Sequence, residues 1–518
     1  MPTGIPYIVG NEAAERFSFY GMKTILVVFM TQYLMTAQGG PNFMTDTEAR
    51  YWMHLFVASA YFTPVIGAII ADAFFGKYVT ILALSMLYCV GHLCLALIDL
   101  PSAALAATLD PKGWMIAGLV LIAFGSGGVK PCVSAHVGDQ FGSANKHLIE
   151  KVFGWFYFSI NFGSFFSTLL TPWLLKNYGP GLAFGVPGIL MAIATLVFWM
   201  GRKKFTHIQP RGLAYFGEVF SSAGLKAILK LIPLYLFVAV FWSLYDQGGG
   251  AWVQQAKQMN RDFMGIIWLE SQVQAINPLL ILIYIPLFAY VIYPLLSKVM
   301  RLTPLRKILM GFALTVVSFL IATHGQKLID VEQERFSNLV KPVYAAGTLD
   351  VAATCKAMRA VEQNASAQEL EAAGSNEAKA IEALSAAGIV VLKDGTTMKA
   401  QWPTVGWQLL AYVVITAAEV LVSITCLEFS YTQAPKYMKS LIMSFYLLSV
   451  ALGNFFTAAV NRFTMDSDGN TTLIGADYYW FFTKLMMVAT VLFIFVVVFY
   501  KPREYLQDGS DSAQGASS

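Results

Sequence analysis

The chain has 518 residues, of which 57% are hydrophobic, 14% aromatic and 13% charged; 35 Lys and Arg against 31 Asp and Glu leave a formal net charge of +4. Soluble domains average roughly 45–50% apolar and about 25% charged residues, so this chain has too little charge to coat a water-facing globule of its size. The composition argues against a soluble enzyme, a disordered chain or a nucleic-acid binder, and points to a polytopic α-helical membrane protein. A crossing helix needs about 20 largely apolar residues. Twelve such spans are predicted, at 6–35, 50–73, 79–99, 112–137, 152–175, 181–200, 228–253, 271–297, 303–323, 403–432, 438–461 and 476–500. The first eight residues hold no basic side chain and the first apolar stretch is long, so no cleavable leader is expected.

Ionisable residues are expensive inside a bilayer, roughly 2.5–3.5 kcal/mol each at a span's centre on insertion scales. Several spans nevertheless hold them. The first carries Glu12, Glu15, Arg16 and Lys23, which helical spacing puts largely along one stripe with Phe19 or Tyr20 between. The second has His54 and Tyr61, seven apart. The fourth has Lys130 in Gly125-Ser-Gly-Gly-Val-Lys-Pro131, and the fifth has Tyr157 and Asn161 at i, i+4. In the second half, the seventh span has Trp242 and Asp246 at i, i+4, the eighth Asn277 before Pro278, and the tenth Glu419 and Ser423 at i, i+4, then Glu428. Asp72, Gly76 and Lys77 fall in a turn at a helix end, where a gating or structural role is expected.

The non-membrane segments divide the chain. Residues 201–230 link spans six and seven, carry Arg202, Lys203, Lys204, Arg211, Lys226 and Lys230 against Glu218, and include an expected amphipathic helix at 213–229. Lys298, Arg301, Arg306, Lys307, Lys436, Lys439, Lys501 and Arg503 fall on the same side, so both termini are expected in the cytoplasm. The organisation expected is 1–200 as an N-terminal six-helix bundle, 201–230 as a cytoplasmic linker, 231–323 with 403–500 as a C-terminal six-helix bundle, and 501–518 as a polar tail. Residues 324–402 form an insertion on the far side of the membrane, with ten acids and eight bases. Its piece 351–385 reads as one or two exposed helices, and Ile389-Val-Val-Leu before Asp394-Gly395 as a strand and turn. Asn364-Ala-Ser and Asn470-Thr-Thr match the glycosylation pattern, a motif short enough to occur by chance.

Two helical halves suggest a major-facilitator-type transporter, in which bundles rock about a site near the midplane. The charge set suits a zwitterion. Lys23 and Lys130 offer donors to a carboxylate, Glu419 an acceptor to an ammonium, and Asn161 and Asn277 hydrogen bonds to a peptide unit. Tyr20, Tyr61, Tyr157 and Trp242 supply apolar walls with polar tips. Asp246 with Lys23, and the acids of the first span, are candidates for proton coupling. No Ser/His/Asp arrangement or metal-ligand cluster falls in the spans, and His54 and His92 are too isolated for zinc, so no enzyme, metal or cofactor is expected. The five Cys, at 89, 94, 132, 355 and 426, show no metal-ligand spacing, and no disulfide framework is expected.

Three long motifs resemble those of the proton-dependent oligopeptide transporter family. Glu12-Ala-Ala-Glu15-Arg16-Phe17-Ser18-Phe19-Tyr20-Gly21 resembles the family's ExxERFxYYG, with Phe19 for the first tyrosine. Phe156-Tyr157-Phe158-Ser159-Ile160-Asn161-Phe162-Gly163-Ser164 resembles FYxxINxGS. Ala418-Glu419, running on through Leu427-Glu428-Phe429-Ser430-Tyr431-Thr432-Gln433-Ala434-Pro435, resembles a third, with Ala418 where a glycine often stands. The resemblance covers about 1–323 and 403–500. It implies an all-α, major-facilitator-type membrane protein of twelve helices that carries di- and tripeptides with protons. It implies peptide contacts at Lys23, Lys130, Glu419, Asn161, Asn277, Tyr20, Tyr61, Tyr157 and Trp242, with Ser423 beside Glu419, and proton coupling at Glu12, Glu15, Arg16, His54 and Asp246. Two departures stand out: Ala73 where many facilitators have a base after Asp72, and Tyr446 where relatives often have Trp. The nearest alternative is a transporter of another small anion, such as nitrate, from the same wider family; the complete Glu12, Glu15, Arg16 set argues against it.

Overall fold

The computed structural model describes residues 1–99, 110–141, 145, 148–210, 212, 214–219, 221–433, 439–467, 469 and 471–500. Arg211, Lys436, Lys501, Arg503, Asn470 and the tail 501–518 lie outside the described residues, as does the side chain of Lys439.

The first half consists of α1 (Ile5–Gln32), α2 (Asp46–Ile69), α3 (Lys77–Ala96), α4 (Pro111–Asp139), α5 (Ile149–Tyr178) and α6 (Pro180–Met200). The second consists of α7 (Ser222–Tyr245), α8 (Ile276–Leu287), α9 (Pro304–Ala345), α10 (Gly406–Glu419), α11 (Lys439–Thr464) and α12 (Ala476–Phe499). Local chemistry marks several ends. Thr45 Oγ1 accepts from Glu48 N at the start of α2, and Asp46 and Glu48 place negative charge in its first turn. Asp110 caps α4 just ahead of Pro111, and Gly179 (φ 85°) ends α5 where Pro180 begins α6.

Ten of the described helices are long and apolar enough to cross a membrane. Neither α1 nor α5 is among them, although each of these is about 40 Å long at 1.5 Å per residue. Their polar residues dilute the apolar run: α1 buries Asn11, Glu12, Glu15 and Arg16, and α5 carries Tyr157, Asn161 and several serines. These two charge- and amide-bearing helices are the ones that carry the first two sequence motifs.

Each half has its own buried core. One is packed around Phe19, Phe29, Phe56 and Phe184, the other around Phe241, Trp252, Phe312 and Phe319. The halves meet along two seams, α2 against α11 and α5 against α8. Three spans leave regular α-geometry through a π-helical turn: α2 at Ile70–Phe75, α8 at Phe288–Ile292 and α10 at Val420–Ile424. The seventh span is broken outright. After Tyr245 it passes through a 3-10 turn, Asp246–Gly249, and Gly250 before resuming at Ala251–Lys257.

Three expectations outside the membrane change, one being that 351–387 holds three helices rather than one or two. The linker forms a short helix, Ala214–Val219, while Ser222 onward already belongs to α7, so no separate helix covers 213–229. Span nine does not stop at residue 323: α9 runs unbroken for 42 residues, about 63 Å at 1.5 Å per residue, twice the roughly 30 Å hydrocarbon core. Its distal half is the stalk of the insertion. On it sit three short helices, Val351–Ala360, Asn364–Ala373 and Glu377–Ala387, and a hairpin pairing Ile389–Val391 with Thr397–Lys399 around the Asp394-Gly395 turn. Leu370, Leu384, Met358 and Val390 form their shared core with Phe336 and Val340 of the stalk.

Candidate functional site

A polar cavity of about 140 Å³ lies between the halves, walled by α1, α2 and α5 on one side and by the broken seventh span, α8 and α10 on the other. Backbone proximity builds its walls. Gly163 of α5 sits where a Cβ would meet Ala13 O of α1 at 2.6 Å. Only glycine lets α5 approach so closely, which sets Asn161 and Ser164 beside the charged stripe of α1. Across the gap, a Cβ on Gly453 would overlap Ala239 O, so α11 lies tight against α7. The residue after it, Asn454, thereby reaches the break in the seventh span.

That break presents Asp246. Lys23 Nζ lies 2.6 Å from Asp246 Oδ1, an ion pair joining the first and seventh spans with both side chains at least 88% buried (12% and 5% exposed). The other carboxylate oxygen accepts from Asn454 Nδ2 at 2.7 Å, and Asn454 Oδ1 lies 2.8 Å from His54 Nδ1. Because the amide nitrogen serves the carboxylate, the amide oxygen must accept, so His54 carries its proton on Nδ1. Lys23, Asp246, Asn454 and His54 form one chain of hydrogen bonds crossing between the halves.

On the second-half wall, Asn277 Nδ2 donates to Glu419 Oε2 at 2.9 Å and to Thr416 Oγ1 at 3.0 Å, and Tyr245 Oη donates to Asn277 Oδ1 at 3.3 Å. Glu419 is followed at once by the π-turn, a feature often found at functional sites. That turn carries Ser423, whose hydroxyl lies 2.9 Å from Tyr446 Oη. Tyr446 is thus held by a polar contact through its phenolic oxygen.

On α1, Arg16 Nε pairs with Glu12 Oε1 at 2.6 Å and lies 3.2 Å from Glu15 Oε2. One guanidinium serves two buried carboxylates. Lys130 stands behind the cavity wall: its ammonium lies 3.5 Å from the Phe19 ring centre and 4.1 Å from that of Tyr61. Cation–π contact of this kind is worth about 2 kcal/mol or more when desolvated. Lys77, expected in a turn, is the first residue of α3 and pairs with Asp139 of α4 at 2.7 Å.

Of the residues singled out in the sequence, Tyr20, Lys23, Tyr61, Asn161, Trp242, Asp246, Asn277 and Glu419 line the cavity. Lys130, Tyr157 and Ser423 do not line it, and Glu12, Glu15, Arg16 and His54 stand in the walls behind it. Sequence reasoning missed Asn454, Thr24, Tyr245, Trp252, Gln274 and Tyr412. The signal for Asn454 was present, an amide directly after a glycine in the middle of a largely apolar span. It also missed Arg50, which ties α2 to Asn461 and Gln254 (3.1 Å each) and stacks 4.5 Å from the Tyr478 ring centre.

The contacts that join the halves gather on the insertion side. Besides Arg50, Thr45 Oγ1 donates to Gly469 O, Gln254 Nε2 to Asp46 O, and Gln272 Nε2 to Leu169 O. The insertion adds a strap. Glu362 takes Tyr33 Oη at 3.1 Å and Lys176 Nζ at 3.2 Å, while Asn364 N donates to Gln32 Oε1 at 2.7 Å. The structure is closed on that side.

A family model described as "PTR2: POT family" matches residues 78–223, 219–397 and 379–481. The chain belongs to the POT family. Solute carrier family 15 member 2 of Rattus norvegicus is 28% identical over 97% of this chain and 90% of that protein. Peptide transporter family 1 of Drosophila melanogaster is 28% identical over 98% of this chain and 89% of that one. The crystal structure of the POT family transporter PepTSo is 31% identical and covers 96% of this chain and 98% of its own, with a TM-score of 0.73. As a POT family member the chain is a multi-pass membrane protein of major-facilitator type and a proton-coupled peptide symporter, not an enzyme.

Proposed function

We propose that the chain carries di- and tripeptides into the cell by alternating access, with both termini in the cytoplasm and the insertion outside. The bundles are 1–200 and 231–323 with 403–500, joined by the linker 201–230. Lys23 and Lys130 serve the peptide carboxylate and Glu419 its ammonium. Asn161, Asn277, Tyr20, Tyr61 and Trp242 form the rest of the peptide site, and Tyr157 and Ser423, which stand off the present cavity, join it as the halves move. Lys130 reaches the carboxylate by leaving the faces of Phe19 and Tyr61.

The observation that carries this reading is the Lys23–Asp246 pair beside Glu419 in one cavity. Among the described residues, the lining holds one cation, Lys23, and two carboxylates, Asp246 and Glu419. A zwitterionic peptide brings no net charge, so it cannot by itself balance the site. Its carboxylate competes with Asp246 for Lys23, and its ammonium meets Glu419. Asp246 then loses its cation in a water-poor place, where an unpaired charge is costly, and a proton restores neutrality. Peptide and proton thus enter together because charge balance requires both. Glu12, Glu15 and Arg16 form a second proton station, and His54 links to Asp246 through Asn454. Breaking the Lys23–Asp246 tie also releases one of the bonds that hold the halves together, which couples loading to rocking.

The full chain reconstituted in liposomes tests the proposal. Dipeptide accumulates when the outside is acid, and a protonophore abolishes the accumulation; accumulation indifferent to the protonophore refutes coupling. Impermeant thiol reagents reaching a cysteine placed in the insertion, but not one at Lys203, in intact cells check the topology.

A further inference from the structure

The seam between α2 and α11 opens on the membrane-facing surface into a cleft of about 590 Å³, bounded by α2 and α4 from the first half and α11 from the second. Its walls are apolar: Trp52, Phe62, Ile66, Val120, Phe124 and Phe455 are typical. Its two hydroxyls offer nothing to a ligand, because Ser59 Oγ donates to Leu55 O and Thr63 Oγ1 to Ala123 O. Such a surface excludes polar solutes and favours hydrocarbon. From Trp52 to Ile66 the α2 wall is about 21 Å long at 1.5 Å per residue, against roughly 15 Å for half of a 30 Å hydrocarbon core. One lipid tail entering from the insertion side is long enough to run down it.

The insertion-side end of the cleft carries charge. Glu48 lies one helical turn before Trp52 on α2, and Lys112 one turn before Ile116 on α4, so both sit above the same two walls. They pair at 2.8 Å and each is about one-third exposed (28% and 34%). A cation beside water, directly above an apolar slot, is placed for a phosphate.

We infer that this cleft binds a phospholipid of the insertion-side leaflet, its acyl chain between α2, α4 and α11 and its phosphate at Lys112. The site joins residues of both halves, so its width changes as they rock. A lipid bound to the present arrangement favours the state closed on the insertion side, by as much as its affinity differs between the two states. The site stands apart from the roles given to the cavity residues, and either reading can fail without the other.

The test uses the full chain in phosphatidylcholine nanodiscs doped with a phosphatidylcholine that carries a photoreactive diazirine in mid-chain. Adducts are mapped by mass spectrometry. Labelling at Phe62, Phe124 and Phe455 is expected several-fold above that at Phe495 and Phe499 of α12, which are at least as exposed. Ser59→Phe fills the cleft and removes those adducts while leaving α12 labelled. Lys112→Gln, at the exposed mouth where folding is not at stake, lowers cleft labelling about five-fold, and Lys112→Arg restores it. Equal labelling of cleft and α12, or protein–protein adducts in place of lipid adducts, overturns the site. Cleft labelling unchanged in Lys112→Gln overturns the phosphate assignment.

Discussion

Asp246 is shared by two partners from different places: Lys23 of α1 holds one carboxylate oxygen at 2.6 Å, and Asn454 of α11 holds the other at 2.7 Å. The carboxylate therefore senses both the cavity-lining lysine and, through Asn454, His54 of α2.

Removing one member of a buried pair leaves the other charge uncompensated, at a cost of about 3–5 kcal/mol. Lys23→Ala and Asp246→Ala are each expected to lower thermal stability and abolish proton-driven uptake. The double variant is expected to recover much of the stability but not the uptake. Melting curves of the four proteins, read as a double-mutant cycle, check this; additive losses would show that the pair contributes nothing.

Asn454→Leu separates His54 from Asp246 without changing either. The pH dependence of uptake is expected to move, with peptide affinity nearly unchanged, since Asn454 does not line the cavity. Gly453→Ala should be worse. Its methyl overlaps Ala239 O, and overpacking of this kind costs about 1–3 kcal/mol. An unaltered pH profile in Asn454→Leu would remove the link.

Glu419→Gln keeps the size and the hydrogen-bonding reach of the side chain but loses the charge. Uptake of peptides with a free amino end is expected to fall about tenfold or more, as for loss of a charge-assisted bond. Amino-blocked peptides should be little affected. Equal losses for the two substrate classes would remove the ammonium-binding role.

The strap predicts a change in conformational balance. Glu362→Lys repels Lys176, which is 41% exposed, so solvent screens the pair and the effect is expected to stay within about 1 kcal/mol, a shift of up to about five-fold toward the state open on the insertion side. Distances between spin labels on α1 and the insertion measure that shift.

In the insertion hairpin, Asp394 Oδ1 accepts from Thr396 N at 2.8 Å, and this bond holds its carboxyl below the usual aspartate range. The folded value being the lower one, the stabilisation is present above the unfolded value and is lost as pH falls through the folded one. Hydrogen exchange across 389–399 is expected to quicken on the acid side in the native chain and to show no such step in Asp394→Asn.

Much of the architecture was legible because hydropathy and charge are local properties. The apolar spans and the insertion's hairpin turn follow from runs and breaks in the chain, whereas the linker helix and the end of span nine do not. The seventh span is instructive: Gly248-Gly249-Gly250 inside an apolar stretch is the sign of a break, yet by itself it does not say that Asp246 will be turned toward α1. Lys130 teaches the converse. Its chemistry suits a carboxylate, but packing between Phe19 and Tyr61 places it behind the cavity wall rather than in it.

The amino-acid order alone determined which segments leave water and which spans carry charge into the bilayer, since insertion free energy is summed residue by residue along each helix. Only the tertiary structure decided the pairing. Lys23 finds Asp246 across 223 positions, and His54 finds Asn454 across 400, because glycine contacts, a broken helix and the approach of two bundles set the register between spans. Those are relations between helices, and no single stretch of sequence contains them.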